Sequence, residues 1–185
     1  MLCIFVLTLA CNSNTPKAKA SADSPQAAIN VNVAHASAQD DESNFRSLLG
    51  SFKLALIKKD FKATAGLMHF PFYTSNGTQG EGKGVATDPI SADEFSNYQK
   101  DIFNADVLHL LPKYTEDQLS EIDEKTDDSY YNSLKKITDN GSRLYEVYFQ
   151  YPEMHTQADN FFGFVFGKID GKYRVIASYA KWPVK

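Results

Sequence analysis

Cysteine is scarce in this 185-residue chain, and both cysteines, Cys3 and Cys11, stand close to the N-terminus. No thiol follows them, so a disulfide, a cysteine nucleophile and a cysteine-based zinc site are excluded from the rest of the chain. Long apolar runs are also missing, because nothing after the first ten residues approaches the roughly 20 apolar residues of a membrane-spanning helix. The sequence therefore predicts a domain stabilised by its core rather than by cross-links.

An excess of positive charge is lacking as well. The chain has 19 Lys and Arg residues against 23 Asp and Glu residues, a formal net charge of −4. Nucleic acid is therefore not expected as a partner, since phosphate binding needs a basic patch. The histidines after residue 43, His69, His109 and His155, have no partner at i, i+4 spacing. Neither a metal ion nor another cofactor is expected.

The first ten residues form an apolar run, MLCIFVLTLA, directly before Cys11. The run is too short for an ordinary membrane-spanning helix and suits the apolar region of a secretory signal. Its last residues, LTLAC, resemble the lipobox of bacterial lipoproteins, which implies lipidation of Cys11 as the first mature residue. The lysines that usually precede such a run are absent, which points to a translation start upstream of Met1. An ordinary secretion signal is the alternative.

Residues 12–42 are rich in Ala, Ser, Asn, Gln, Asp and Lys and contain no aromatic residue. Such a segment buries too little apolar area to offset the entropy lost on ordering. We expect it to be a flexible tether that joins a membrane surface to a domain over residues 43–185. The expected location is the bacterial cell envelope, with the lipid on Cys11 as the only contact with the membrane.

The strongest structural pattern is FFGFVFGKIDGKYRVIASYAKW, over Phe161–Trp182. Asp170-Gly171 is the signal of a two-residue type I′ hairpin turn, which requires two residues that tolerate positive φ. This turn sets the register of the hairpin and places large side chains on one face, where burial of each stabilises by roughly 1.5–3 kcal/mol. The predicted pairs on that face are Phe166 with Val175, Phe164 with Ala177, and Phe162 with Tyr179.

Two helices are predicted near the start of the domain. Apolar residues at i, i+3, i+4, i+7 and i+11 indicate an amphipathic helix over Ser43–Lys59. Asp41 or Ser43 is expected to cap its N-terminus. Asp60 is expected to cap a second, short helix over Phe61–Leu67.

A short strand, Met68–Tyr73, is expected next, and Pro71 would restrict it to an edge or an end of the sheet. The glycine-rich segment Ser75–Pro89 lacks the Lys-Ser/Thr ending of a phosphate-binding loop, so we expect a mobile hairpin connection.

Capping-box sequences open two further segments. Ser91–Glu94 precedes a predicted helix, and Thr115–Gln118 precedes a short one that would include Leu119 and Ile122. Val107–Leu111 is expected to be a short strand. Ser129–Thr138 fits a helix or a strand, and its place before a strong strand favours a strand. The apolar side of the helix after Glu94 would carry Phe95, Tyr98, Ile102 and Phe103.

Arg143–Tyr151 alternates apolar and polar residues and, with the C-terminal hairpin, completes an antiparallel meander. Helices followed by strands predict an α+β fold, with the N-terminal helices packed on one face of a curved antiparallel sheet. Small residues on the second face of the hairpin, including Gly163 and Gly167, predict close approach by another element.

Three segments resemble the cystatin-like, nuclear-transport-factor-2-like superfamily: Phe52–Phe72, Ile90–Phe103 and Phe161–Ala180. They are similar to its long helix followed by a Lys-Asp break and a short helix, to its third helix, and to its closing strands. The resemblance covers about residues 44–182 and is nearest to small Bacteroidetes-type lipoproteins of unknown function. It implies a sheet curled into a cone with a pocket, and homodimerisation through the sheet.

Such a pocket serves enzymes and non-enzymes alike. Enzymes of the superfamily place an Asp, or an Asp–His pair, among tyrosines in the cone, and no segment here matches their signatures. We therefore favour a non-catalytic ligand-binding or scaffold domain. The alternative is a small-molecule lyase or isomerase whose cone pocket uses His69 or a nearby tyrosine or acid, such as Glu146. The residues expected to line a pocket for a small apolar ligand are Tyr98, Tyr145, Tyr148 and Trp182.

Overall fold

The computed structural model describes the backbone of residues 26–76, 87–153 and 158–182, and the side chains of residues 39–75, 89–153 and 158–182. Along these ranges the last three strands follow all of the helices. The helices are α1 (Gln26–Ile57), α2 (Phe61–Leu67), α3 (Phe95–Ile102), α4 (Ala105–Leu110) and α5 (Ser129–Lys135). The strands are β1 (Met68–Asn76), β2 (Thr87–Ile90), β3 (Leu119–Glu121), β4 (Tyr145–Pro152), β5 (Asp159–Ile169) and β6 (Lys172–Ala180).

The six strands form one sheet in the order β2-β1-β6-β5-β4-β3. All neighbours pair antiparallel except β1 and β6, which are parallel. The α+β class is therefore confirmed, whereas the expectation of an entirely antiparallel sheet is wrong. The early strand β1 lies beside the last strand β6, and the two run in the same direction, so the sheet is mixed.

Helix α1 starts at Gln26, well before the predicted start at Ser43. It begins inside the predicted tether of residues 12–42, so residues 26–42 are helical rather than irregular. Asp41 is not an N-cap: it lies within the helix, is 4% exposed, and accepts a 2.9 Å hydrogen bond from Lys168 Nζ. This contact with β5 makes Asp41 part of the folded domain. Residues 12–25 lie outside the described part of the chain.

The second helix, α2, is confirmed with its cap, since Asp60 Oδ1 accepts a 2.9 Å hydrogen bond from the backbone N–H of Ala63. Strand β1 follows at once, but it lies between β2 and β6 and is not an edge strand. Pro71 is accommodated because the ladder with β6 changes register between Met68 and Tyr73. The predicted hairpin connection falls mostly in residues 77–86, outside the described ranges, while its flanking strands pair antiparallel.

The helix after Ser91–Glu94 is confirmed, and Glu94 Oε2 accepts a 3.1 Å hydrogen bond from the backbone N–H of Ser91. The four apolar residues predicted on its inner side all contact the core. The second capping box, at Thr115–Gln118, is present but opens a single 3₁₀ turn. Leu119 then begins β3 instead of continuing a helix.

Two predicted strands are helices. Val107–Leu111 falls largely in α4, because the side chain of Asn104 accepts a 3.0 Å hydrogen bond from the backbone N–H of Val107. Ser129–Thr138 contains α5, because the side chain of Asp128 accepts a 2.8 Å hydrogen bond from the backbone N–H of Tyr130. In both cases the residue that caps the helix lies just N-terminal to the segment predicted to be a strand.

The type I′ turn of the C-terminal hairpin is confirmed, with φ of 50° at Asp170 and 74° at Gly171. The predicted pairing holds from the turn as far as Phe166 opposite Val175. There Ile176 forms a β-bulge, an extra residue without a partner, and the register shifts by one. The pairing predicted beyond it is therefore wrong. Phe164 lies opposite Ser178, and Phe162 lies opposite Ala180.

The sheet has a core on each side. On the first face, α1 and α3 pack on the phenylalanines of β5, with ring centroids 5.7 Å apart for Phe52 and Phe164. On the second face, α5 packs on Val165, Ile176 and Tyr179. The bulge explains the division, because it moves Ala177 and Tyr179 to the face opposite the phenylalanines.

Gly163 is required by the second core, as its position on that face predicted. A Cβ built at Gly163 would lie 2.3 Å from Cζ of Tyr179. Gly163→Ala must therefore displace a buried ring, and we expect it to lower the free energy of unfolding by about 1–3 kcal/mol in denaturant titrations. Gly50→Ala is the matched control, because its Cβ would meet nothing within 4 Å. In helix α1 it should stabilise by about 0.5–1 kcal/mol. Equal losses in both variants would contradict this account of Gly163.

Candidate functional site

A cavity of about 180 Å³ opens at the end of the sheet where β6 finishes and α3 and α4 meet β5. It lies on the face that carries the phenylalanines. Its lining residues are Ser75, Asp101, Ile102, Asn104, Val107, Phe162, Phe164, Ser178, Tyr179, Ala180 and Trp182. We call it the β6-end cavity.

The apolar part of the β6-end cavity is deeply buried. Phe162, Phe164 and Val107 are each at most 3% exposed. Trp182, by contrast, is 53% exposed and carries the ammonium of Lys181 at 5.1 Å from its ring centroid. A ligand in the cavity would thus contact rigid aromatic walls and an indole that still has surface to bury.

Ser178 supplies the most distinctive polar group of the cavity. Its side chain is 7% exposed, and among the described residues its hydroxyl has no hydrogen-bond partner. Ser178 reaches this face because of the bulge at Ile176, since residues directly opposite each other point to the same side and its partner is Phe164. The side chain of Asn104 is engaged in capping α4. Ser75 and Asp101 also line the cavity, so it combines aromatic walls with several polar groups, among them the Ser178 hydroxyl.

A second group of polar side chains lies on the opposite face of the sheet, around Glu146. Oε1 of Glu146 accepts hydrogen bonds from Tyr131 Oη at 2.5 Å and from Tyr179 Oη at 2.8 Å. All three side chains are at most 6% exposed. Burial, reinforced by the Glu146 charge, raises the pKa of Tyr179 far above its usual value. The Tyr179 phenol therefore stays protonated and donates its hydrogen bond. Through Tyr131 and Tyr179, Glu146 links α5 and β6 to β4.

The neighbouring Tyr130 behaves differently. Its ring centroid lies 5.7 Å from that of Tyr179, and its side chain is fully buried, yet its hydroxyl has no hydrogen-bond partner. Burial raises the pKa of Tyr130 well above the usual range. Both phenols thus lie in one apolar environment, and only one of them has an acceptor.

The structure places the four residues predicted to bind a ligand in four different surroundings. Trp182 lines the β6-end cavity. Tyr98 is half-buried against the first core. Tyr145 stacks on Phe45 with ring centroids 4.3 Å apart, and burial raises its pKa to about 12. Tyr148 lies on the second face, where it stacks on Tyr179.

The weak catalytic candidate, His69, is remote from the β6-end cavity. It lines a separate hollow beside the Asp170-Gly171 turn. His109 is exposed on α4. His155 and Cys11 lie outside the described residues.

Sequence reasoning missed Ser178 and Val107 as cavity residues. A hairpin without the bulge places Ser178 on the second face. Val107 was assigned to a strand, whereas α4 carries it to the cavity. No pattern in the sequence marks the bulge, but Asn104 before an apolar run is a helix-cap signal that could have identified α4.

Within the described ranges, no cluster of three or more His, Asp or Glu side chains is arranged to hold a metal ion. In the same part of the chain, no helix combines the length and the apolar character that a membrane crossing requires.

Comparison with known proteins gives little to transfer. No protein-family model matches the chain, and no curated protein matches it either. One similar solved structure is an NTF-2-like protein of unknown function from Shewanella oneidensis MR-1, with 10% sequence identity and a TM-score of 0.39. The similarity covers 75% of this chain and 97% of that one. It is too distant for any property of that protein to be assigned here, and the fold class rests on the strand order and packing described above.

The two tyrosines near Glu146 give a paired prediction. Tyr179→Phe removes a donor from a buried carboxylate, so we expect the free energy of unfolding to fall by about 1–3 kcal/mol. Tyr130→Phe removes a hydroxyl that has no partner, and should leave the free energy of unfolding unchanged or raise it. Urea titrations followed by far-ultraviolet circular dichroism measure both changes. A larger loss for Tyr130→Phe than for Tyr179→Phe would refute the hydrogen-bond assignment.

Proposed function

We propose that this protein is a non-catalytic binding domain, tethered at a bacterial envelope surface, that takes a small, mainly apolar ligand in the β6-end cavity. The observation that carries the proposal is the combination of buried phenylalanine walls, the unpartnered hydroxyl of Ser178 and the exposed indole of Trp182. A concave apolar lining with few, well-placed polar groups is typical of small-molecule sites.

The volume of the cavity restricts the size of the ligand. At about 180 Å³ it is smaller than the roughly 300–1,000 Å³ of pockets that enclose drug-sized molecules. An apolar cavity of about 150 Å³ is enough to bind benzene. A single ring or a short chain, bearing one group that hydrogen-bonds to Ser178, fits the cavity best.

The position of His69 favours a non-catalytic role over a lyase or isomerase. A general base must come within hydrogen-bond reach of its substrate, and His69 does not line the cavity. Glu146, the acid considered with it, is bonded to two tyrosines on the other face of the sheet. The base and the acid considered for the alternative therefore lie in two separate places, and neither lines the cavity.

Benzyl alcohol is a suitable probe, and Trp182 is a suitable reporter because the chain has a single tryptophan. We expect a saturable change in tryptophan fluorescence, excited at a wavelength that the probe does not absorb. Ala180→Leu should fill the cavity and weaken binding by about tenfold or more, a loss of 1.4 kcal/mol. Ser178→Ala should weaken it by a smaller factor, consistent with one neutral hydrogen bond of about 1 kcal/mol.

Ala105→Leu is the control for added bulk, because Ala105 is exposed on α4 and does not line the cavity. It should bind benzyl alcohol as the unchanged protein does. The proposal fails if no saturable signal appears, or if Ala180→Leu and Ala105→Leu bind alike. Turnover of the probe ligand would instead argue for an enzyme.

We further propose that Cys11 carries the lipid anchor, on the support of the LTLAC sequence. In a bacterial host, the full chain should partition into the detergent phase of a Triton X-114 extract. Mass spectrometry should find an acylated Cys11 at the mature N-terminus. Cys11→Ser should move the protein to the aqueous phase, whereas Cys3→Ser should not. Identical partitioning of Cys11→Ser and the unchanged chain would rule out this anchor.

A further inference from the structure

A hollow with a basic lining lies at the turn end of the C-terminal hairpin, at the opposite end of β6 from the cavity. Parallel pairing of Met68 with Val175 brings the start of β1 beside the start of β6. His69 and Arg174 flank that pair on the two strands, and both line the hollow. The lining residues are Gly66, Met68, His69, Phe70, Ile169, Asp170, Lys172 and Arg174.

A hydrogen bond orients the side chain of Arg174, and its positive charge is not paired with a carboxylate among the described residues. Its Nη1 donates a 2.7 Å hydrogen bond to the carbonyl oxygen of Gly66 near the end of α2. Across the described residues its guanidinium makes no ion pair. The contact with Gly66 fixes the plane of the group, and its remaining N–H donors are left for another acceptor.

The other two side chains of the hollow that carry nitrogen donors are those of His69 and Lys172. In the described part of the chain, neither the imidazole of His69 nor the ammonium of Lys172 has a hydrogen-bond or ion-pair partner. Burial, reinforced by the charge of Arg174, lowers the pKa of His69. The imidazole is thus neutral near pH 7 and supplies one N–H donor beside two cationic groups.

Asp170 is the opposing charge in the hollow. Its carboxylate makes no ion pair with Lys172 or Arg174 within the described residues. With His69 neutral, the lining holds two cations and one anion, in a chain whose formal net charge is −4. The carboxylate of Asp139 accepts hydrogen bonds from the backbone N–H groups of Asp170 and Gly171 but does not line the hollow. A local excess of positive charge favours the binding of an anion.

We propose that this hollow binds a phosphate group, through the guanidinium of Arg174, the ammonium of Lys172 and an N–H of His69. Guanidinium groups match the geometry of phosphate oxygens and form charge-assisted hydrogen bonds with them. The phosphate comes from a free phosphate compound or from a phospholipid headgroup, and both offer the same oxygens to these donors. The hollow and the β6-end cavity are independent sites.

The experiment follows the ring resonances of His69 by NMR in the full chain while inorganic phosphate replaces chloride at constant ionic strength. We expect saturable shifts. Arg174→Gln should weaken phosphate binding by about tenfold or more, since hydrogen bonds to charged groups contribute about 1.5–3 kcal/mol. Lys100→Gln, an exposed lysine on α3, is the matched control and should leave the affinity unchanged.

Asp170→Asn gives the sharpest test. Asn-Gly is a preferred type I′ turn sequence, so the hairpin should persist while the repelling carboxylate is lost. Removing one like charge from the lining should tighten phosphate binding by about a few-fold. A merely structural role of Asp170 would not produce tighter binding.

A second experiment replaces inorganic phosphate with vesicles that contain phosphatidic acid. It identifies whether the phosphate group comes from a free compound or from a lipid headgroup. Saturation by inorganic phosphate supports a free phosphate compound, and saturation by the vesicles alone supports a lipid headgroup. The proposal is overturned if neither produces saturable shifts of His69, or if Arg174→Gln binds as tightly as Lys100→Gln.

Discussion

The β-bulge at Ile176 determines how the two faces of this sheet are used. Without it, Tyr179 would share a face with Phe162, and Ser178 would lie on the other. With it, the phenylalanines of β5 keep one face for α1 and α3, and Tyr179 reaches Glu146 on the second face. The same shift turns Ser178 toward the β6-end cavity. A single extra residue thus divides the aromatic residues into two cores and supplies the cavity with its hydroxyl.

The second core depends on a matching feature in β5. Gly163 lies opposite Tyr179, and the missing side chain leaves room for the phenol ring to cross over the backbone. The ring can therefore reach the carboxylate of Glu146, which also accepts from Tyr131 on α5. A buried carboxylate is costly unless it is hydrogen-bonded, so the bulge, the glycine and the two tyrosines stabilise the sheet only in combination.

The elements that local sequence controls were predictable, and those that depend on packing were not. The Asp170-Gly171 turn and helix α2 with its Asp60 cap follow from short-range rules and are confirmed. The bulge at Ile176 leaves no local signal, because both registers of the hairpin bury large apolar residues. Since the pleat has a period of two, that one residue reverses every face assignment beyond it. This is why the sequence alone does not place Ser178 at the cavity.

Strand β6 links the two proposed sites and also keeps them apart. Arg174 and Ser178 are four residues apart, or about 13 Å at 3.3 Å per residue, and the bulge between them places them on opposite faces. Substitutions separated by more than about 7–10 Å with no shared partner usually have additive effects. A change in the basic hollow should therefore leave the β6-end cavity intact unless it alters the register of the hairpin. The bulge is the element through which coupling would have to pass, because it lies between the two residues and sets the face of Ser178 relative to that of Arg174.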